Sequence, residues 1–133
     1  MSRLVIPPQI EAIEFQAKLR GSGLIYYITT VSPEFPIKIG LSNEASLPAR
    51  FRQLQTALPY KVAALHIHAG SADEEAELHD RFSKAHLRGE WFERTPDLRH
   101  HLHNLRKSDP DWHTRYAGIP KGVAIHKTGD TNA

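Results

Sequence analysis

Hydrophobic residues along this chain follow two different spacings, and the spacing changes from one segment to the next. Residues 24–31 form a continuous apolar and β-branched run, which is typical of a central strand. Leu47, Phe51 and Leu54 instead recur at the i, i+4 and i+7 positions of one helix face. Over the whole chain, the pattern predicts helices at residues 9–20, 47–56, 72–86 and 95–106 and strands at residues 24–31, 37–41 and 62–67.

Turn and cap residues separate these segments. The Pro-containing stretch 32–36 favours a tight connection that pairs the first two strands as a hairpin. Ser71 precedes an acidic first turn and is expected to begin the third helix, where carboxylates suit the helix dipole. After Gly89, a short extended piece carries Trp91 and Phe92, which we expect to close the core. The order α-β-β-α-β-α-(β)-α therefore predicts an α/β domain with one small sheet and helices packed on it.

Length and composition narrow the class of protein. At 133 residues, the chain suits a single domain with one core. It contains no cysteine, which excludes disulfides and thiolate metal sites. No apolar run approaches the roughly 20 residues that cross a bilayer, and the N-terminus lacks the long apolar stretch of a signal peptide. We therefore expect a soluble cytoplasmic protein with no membrane partner.

Basic residues are concentrated towards the C-terminus. The net charge is only +2, but residues 98–128 hold six Lys and Arg against two acids. Five of the nine histidines lie there as well, and a histidine with its ordinary pKa adds positive charge below about pH 6.5. This segment is compatible with a polyanionic partner and equally with an ordinary solvated surface. We divide the chain into an N-terminal helical extension (1–22), a central domain (23–106) and a basic, partly disordered tail (107–133).

Five short motifs follow one another through the central domain. They are Ile25-Tyr26-Tyr27-Ile28, Lys38-Ile39-Gly40, Arg50-Phe51-Arg52-Gln53-Leu54, Glu75-Ala76-Glu77-Leu78-His79 and Gly89-Glu90-Trp91-Phe92. Each is short enough to occur by chance, but the five in this order resemble the GIY-YIG nuclease superfamily. The resemblance covers residues 23–102. Within the superfamily, the chain is similar to the compact branch of bacteria and phages, which has KIG at the second motif and GEWF at the end.

The resemblance implies a three-stranded antiparallel sheet flanked by helices, and a nuclease site that cuts DNA with one divalent metal, Mg²⁺ or Mn²⁺. Tyr26 matches the tyrosine of the first motif, and Lys38 stands where most members carry a second tyrosine. Arg50 matches the helix arginine that holds the scissile phosphate, and Glu75 matches the single metal-binding carboxylate. Phosphodiester hydrolysis needs a positioned water and cations that stabilise the phosphoryl oxygens. One carboxylate plus the substrate phosphate can hold Mg²⁺, which keeps several of its waters.

Lys38 departs from the commoner motif and leaves two roles open. A lysine beside another cation can have its pKa lowered enough to act as a base, or it can stay charged and bind phosphate, which is the role we favour. The histidine often found one turn after the arginine is also absent, because Leu54 stands there. Gln53 or His79 would have to serve in its place. We expect Arg52 and His79 to contact the substrate.

Each candidate also has a purely structural interpretation. A strand tyrosine such as Tyr26 is ordinarily a packed ring, and Tyr27 should point to the opposite face, into the core. Arg52 would ordinarily be a solvated helix residue. Glu75 lies in an acidic first turn that needs no function. His79, four residues later, is expected to be a half-buried ring packed on the sheet rather than a metal ligand.

The sequence therefore predicts a metal-dependent DNA endonuclease, with two alternatives. The first is a catalytically reduced module that keeps Arg50 and the basic tail for binding nucleic acid but has lost turnover through Lys38. The second is an interaction protein whose basic tail contacts another protein. Metal dependence separates the nuclease from the binding module, since simple phosphate contact persists in chelator and weakens steeply with salt.

Overall fold

The computed structural model describes residues 23–122 of the chain. The helix expected over residues 9–20 and the end of the C-terminal tail, residues 123–133, lie outside the described residues. The described part has an α+β fold. Its strands are β1 (Gly23–Thr30), β2 (Ile37–Asn43), β3 (Val62–Ala69), β4 (His86–Arg88) and β5 (Trp91–Phe92), its helices are α1 (Leu47–Ala57), α2 (Ala72–Arg81) and α3 (Pro96–Ser108), and short 3-10 turns lie at Ser83–Ala85 and Trp112–Arg115. None of these helices is long and apolar enough to cross a membrane.

The strands form one antiparallel sheet in the order β3-β1-β2-β5-β4. β1 is paired on both sides and all its residues are buried, as its continuous apolar run predicted. In the β1–β2 ladder, Tyr26 lies opposite Gly40 and Ile28 lies opposite Lys38. On its other side, Lys38 pairs with Trp91 of β5. This register brings the first, second and last sequence motifs side by side.

The predicted count of three strands is wrong, because β4 and β5 form a hairpin that extends the sheet beyond β2. These strands are three and two residues long, too short to show a period-2 pattern. Gly89 joins them with a φ of 57°, a left-handed conformation that glycine adopts readily. Phe92 is buried as predicted, whereas Trp91 is only half-buried and leaves part of its ring at the surface.

Helix α2 begins at the predicted place and ends earlier than predicted. Ser71 Oγ accepts a hydrogen bond from the Glu74 N–H, and the Glu74 carboxylate accepts one from the Ser71 N–H, so the two residues form a capping box. The hydrophobic pattern predicts a helix as far as residue 86, but α2 ends at Arg81. Phe82 is buried in the core, and the chain then makes a 3-10 turn and enters β4. The residues predicted to form the last turn of this helix therefore lead into β4, which pairs with β5 at the edge of the sheet.

Apolar side chains pack on both faces of the sheet. On one face, Tyr27 and Phe92 join a core that is completed by residues of α2 and α3 and the turn between them. On the other face, Tyr26 packs with Phe51 of α1 and with Trp112. Adjacent residues of β1 therefore point to opposite faces, as the period-2 rule requires. The expectation that Tyr27 belongs to the core is confirmed.

The chain beyond α3 returns to the sheet. Trp112 is fully buried in the core on the α1 face. The Ala64 N–H donates to Pro120 O at 2.8 Å, and the Gly122 N–H donates to Ala64 O at 2.7 Å, so the segment lies alongside β3. The part of the predicted tail that the structure describes is thus packed on the domain. Disorder in residues 123–133 stays a prediction.

Candidate functional site

Side chains from distant segments meet at the carboxylate of Glu90. Its Oε1 accepts a hydrogen bond from Lys38 Nζ at 2.8 Å and one from the Tyr26 hydroxyl at 3.3 Å. Burial, followed by the charge of Glu90, raises the pKa of Glu75, so Glu75 lies near the same carboxyl group. The charge of Arg50 also acts on Tyr26. We call these five residues the Glu90 cluster. It brings together the four catalytic candidates of the sequence and one residue that the sequence did not single out.

The pairing of β1 with β2 places the first two members. Tyr26 lies opposite Gly40, two residues from Lys38, so both side chains project from the same face of the sheet. A Cβ at Gly40 would collide with the Tyr26 hydroxyl and would come within 2.6 Å of the Glu90 carboxylate. The glycine of the Lys38-Ile39-Gly40 motif is therefore required because the tyrosine ring packs directly on the backbone of β2.

The β4–β5 hairpin places Glu90 itself. The positive φ of Gly89 turns the chain back towards β2, and Glu90 O then accepts a hydrogen bond from the Ile39 N–H at 2.9 Å. Glu90 and Lys38 are 52 positions apart in the sequence, so no local pattern joins them. The sequence offered one indication that Glu90 has a role. It is an acid that lies between the turn residue Gly89 and the aromatic pair Trp91-Phe92.

The start of α1 places Arg50, which lies in the first turns of the helix directly after β2. Its Nε donates to Ser42 Oγ at 3.2 Å, which anchors the side chain to β2. The residue as a whole is exposed to solvent. A guanidinium has five N–H donors, so one anchoring bond leaves donors that can face an anion. The arrangement suits contact with a phosphate next to Tyr26.

Arg52 lies elsewhere on the same helix. Two residues correspond to about 200° around a helix axis, so Arg52 projects away from the side occupied by Arg50. It is exposed, and within residues 23–122 no hydrogen bond or ion pair joins its side chain to the Glu90 cluster. A substrate contact at Arg52 stays a prediction.

His79 packs on the sheet beside the cluster. Its Nε2 donates to Ile39 O at 2.9 Å, and its ring meets Phe92 edge to face with 4.9 Å between centroids. The same nitrogen lies 3.9 Å from Glu75 Oε2. Because Nε2 carries a proton in this arrangement, it cannot at the same time offer a lone pair to a metal. The geometry matches the structural interpretation of His79, and a contact with substrate stays a prediction.

Burial and neighbouring charges determine the protonation of Tyr26, and Lys38 shares its carboxylate partner. Burial, followed by the charge of Glu90, raises the pKa of the Tyr26 phenol well above its usual value, although Arg50 acts in the opposite direction. The phenol is therefore neutral at physiological pH, and its O–H donates a hydrogen bond to Glu90 Oε1. Lys38 Nζ lies 2.8 Å from Oε1 of the same Glu90 carboxylate and forms an ion pair with it.

Glu75 and Glu90 form a pair of neighbouring carboxyl groups. Burial, followed by the negative charge of Glu90, raises the pKa of Glu75, while His79 and Lys38 partly offset this. A proton or a cation relieves such repulsion. Among residues 23–122, no three or more His, Asp or Glu side chains are arranged as a metal site. The two carboxylates nevertheless fit a divalent ion that takes its remaining ligands from water and substrate.

Known proteins provide an independent assignment of the family. No curated protein matches the chain, and no solved structure matches it. The profile of the T5orf172 domain matches residues 23–109, which include all strands and helices described above and the whole Glu90 cluster. This domain is found in nuclease-like proteins of phages and bacteria and is compatible with nucleic-acid binding. On this match, the chain belongs to the T5orf172 domain family.

Proposed function

We propose that the protein is a metal-dependent DNA endonuclease of the GIY-YIG type, which hydrolyses phosphodiester bonds at the Glu90 cluster. The observation that carries the proposal is the convergence of two cations, two carboxylates and a buried phenol from segments as far as 64 positions apart. We would not expect functionally unrelated residues from such distant segments to converge on one carboxylate. The occurrence of T5orf172 domains in nuclease-like proteins supports the same conclusion.

Lys38 and Arg50 bind the phosphate in this proposal. The ammonium of Lys38 is positioned by its ion pair with Glu90, and the guanidinium of Arg50 is anchored to Ser42 and open to solvent. Both can therefore stabilise the negative charge that grows on the phosphoryl oxygens during hydrolysis.

Glu75 would hold one Mg²⁺ or Mn²⁺ ion, and the negative charge of Glu90 beside it would add to the attraction. Both metals prefer oxygen ligands, and a divalent cation would offset the burial and the repulsion from Glu90 that raise the pKa of Glu75. When bound, the ion supplies Lewis-acid activation of a phosphoryl oxygen. Glu75 must be ionised to serve as a ligand, so proton and metal compete for it.

Tyr26 carries a proton in this proposal and does not act as a phenolate. Its raised pKa keeps the phenol protonated, and its hydroxyl already points at Glu90 Oε1. The phenol oxygen takes a proton from the attacking water while its own proton passes to Glu90. The water oxygen bonds to phosphorus as the bond to the leaving oxygen breaks, and that oxygen takes a proton from solvent.

A second function is favoured by one specific observation. Glu90 Oε1 already accepts hydrogen bonds from both Lys38 and Tyr26, so both lone pairs of this oxygen are occupied before any substrate arrives. The alternative protein is a catalytically reduced module that binds nucleic acid through Lys38 and Arg50 and does not cleave it. Such binding would persist in chelator and fall steeply with salt.

Nicking of a supercoiled plasmid by the full chain tests the proposal. Nicking should require Mg²⁺ or Mn²⁺ and stop in EDTA, and Arg50→Ala and Glu75→Ala should each slow it about 10²- to 10³-fold. Glu77→Ala removes an exposed acid from the same helix as Glu75, and Lys84→Ala removes an exposed cation, so both serve as controls. DNA binding without nicking would favour the binding module. Parent rates in both test variants would exclude the Glu90 cluster as the active site.

A further inference from the structure

A row of aromatic rings leads away from the Glu90 cluster. Lys38 Nζ lies 5.7 Å from the centroid of the Trp91 ring. Trp91 meets Phe35 edge to face with 5.5 Å between centroids, and Phe35 meets Tyr60 in the same manner at 6.1 Å. These three rings, which we call the aromatic row, run without a gap from a proposed phosphate-binding cation to the outer surface.

The three rings of the aromatic row are more exposed to solvent than rings that pack in a hydrophobic core. Tyr60 is 48% exposed, and Phe35 and Trp91 are half-buried. Aromatic residues with one wet side are enriched where proteins bind other molecules. Burial in the core therefore does not account for the three rings.

The loops that carry the row are held in place by side chains. The guanidinium of Arg94 donates to Phe35 O at 2.6 Å and to Ser32 O at 3.2 Å, which ties down the loop between β1 and β2. Gln55 Nε2 donates to Tyr60 O at 3.0 Å, which does the same for the loop before β3. Both rings are therefore positioned before any ligand arrives, and such preorganisation lowers the entropic cost of binding.

We propose that the aromatic row stacks the bases of an unpaired DNA strand, so that single-stranded or branched DNA is the preferred substrate class. The inference rests on the proposed function to the extent that the scissile phosphate lies at Lys38. The planes of neighbouring rings differ by 81° and 64°, so bases that stack on them cannot be parallel to each other as in a duplex, and the row suits an unpaired strand whose bases are splayed apart. Stacking on aromatic rings accepts every base, because each base has a π-face.

Binding measured in EDTA tests this inference without cleavage. Fluorescence anisotropy compares a labelled oligothymidylate with a blunt duplex of the same length. The single strand should bind more tightly, and Tyr60→Ala should weaken its binding roughly 5- to 100-fold, since base–aromatic stacking has this range of strength. Tyr60→Phe keeps the ring and should bind as the parent does. Leu87→Ala is the matched control, because Leu87 is also 48% exposed but lies on β4, outside the row.

Intrinsic fluorescence gives a second readout. Trp91 is half-buried in the row, whereas Trp112 is 1% exposed, so oligothymidylate should quench the emission of the parent and not that of Trp91→Phe. Parent affinity in Tyr60→Ala, a loss of affinity in Tyr60→Phe, tighter binding of the duplex, or unquenched emission would each overturn the inference. Loss of plasmid nicking with these binding results intact would instead overturn the nuclease proposal alone.

Discussion

At the scale of single residues, Glu90 connects the parts of the candidate site. It accepts hydrogen bonds from Lys38 and Tyr26, and its charge contributes to the raised pKa of Glu75. One carboxylate thereby orients a cation and accepts a hydrogen bond from a phenol, and in the proposed mechanism it also takes the proton of that phenol. Substitution of Glu90 by glutamine removes the negative charge and the ability to accept a proton but keeps the size of the side chain.

Glu90→Gln should slow metal-dependent nicking by about 10²- to 10⁴-fold, the usual contribution of a group that accepts a proton in the reaction. DNA binding in EDTA should be kept or slightly tightened, because one negative charge near the phosphate is lost. Glu93→Gln changes an exposed acid nearby and is the control. A Glu90→Gln enzyme with the parent rate would contradict the proton path through Tyr26.

Lys38→Arg separates the two roles of Lys38. Arginine keeps the positive charge but does not lose its proton at any working pH. If Lys38 binds phosphate, Lys38→Arg should keep nicking within about tenfold of the parent, and if it acts as a base, nicking should fall by about 10²-fold or more. The pH profile of kcat gives the check, because only the base role predicts that an acidic limb disappears in Lys38→Arg.

At the scale of elements, the β4–β5 hairpin determines whether the site is complete. It is short and lies at the sheet edge, yet it contributes both Glu90 and Trp91. Its turn depends on Gly89, which has a φ of 57°. The position of the hairpin is set by pairing of Lys38 with Trp91 and of Ile37 with Phe92.

Gly89→Ala and Gly118→Ala form a matched pair. Both glycines have positive φ, and an added Cβ would meet no atom within 4 Å at either position, so each substitution carries only the backbone cost of about 1–2 kcal/mol. Urea unfolding should show similar losses of stability for the two variants. Only Gly89→Ala shifts Glu90, so only it should reduce nicking by more than the loss of folded protein explains. Equal nicking by both variants would contradict that role of the hairpin turn.

At the scale of the whole molecule, the buried His66 and the half-buried His101 make stability depend on pH. Burial, followed by the neighbouring His68, lowers the pKa of His66 to about 4, even though Asp109 acts in the opposite direction. Burial, followed by the charge of Arg81, lowers the pKa of His101 to about 4. The unfolded chain, with histidine pKa values near 6.5, binds more protons than the folded chain between these values. Stability is therefore full above about pH 6.5 and is lost as the pH falls towards 4.

His101→Gln tests this dependence. The amide can still donate to the Tyr27 hydroxyl, which lies 3.1 Å from His101 Nε2, but it does not titrate. The free energy of unfolding should fall less between pH 7 and pH 5 than in the parent, by on the order of 1–2 kcal/mol. His100→Gln changes the exposed neighbouring histidine on α3 and should leave the parent slope. An unchanged slope in His101→Gln would contradict the lowered pKa of the half-buried His101.

Much of the fold and part of the site were determined by the sequence alone. The buried strand β1, the face of α1 with Phe51 and the start of α2 after Ser71 depend on neighbours within a few positions, so periodicity and cap residues predicted them. The motif order singled out Tyr26 and Glu75 because each motif is a local string. Their chemical roles remain proposals.

Only the tertiary structure decided how these pieces meet. The strands β4 and β5 exist because β2 offers backbone partners, and α2 ends at Arg81 because the chain must reach that sheet edge. The same pairing brings Glu90 to Lys38 and leaves Trp91 beside Phe35. These contacts join residues more than 50 positions apart, and their stability comes from the partner rather than from the segment itself. A pattern read within one segment therefore could not predict them.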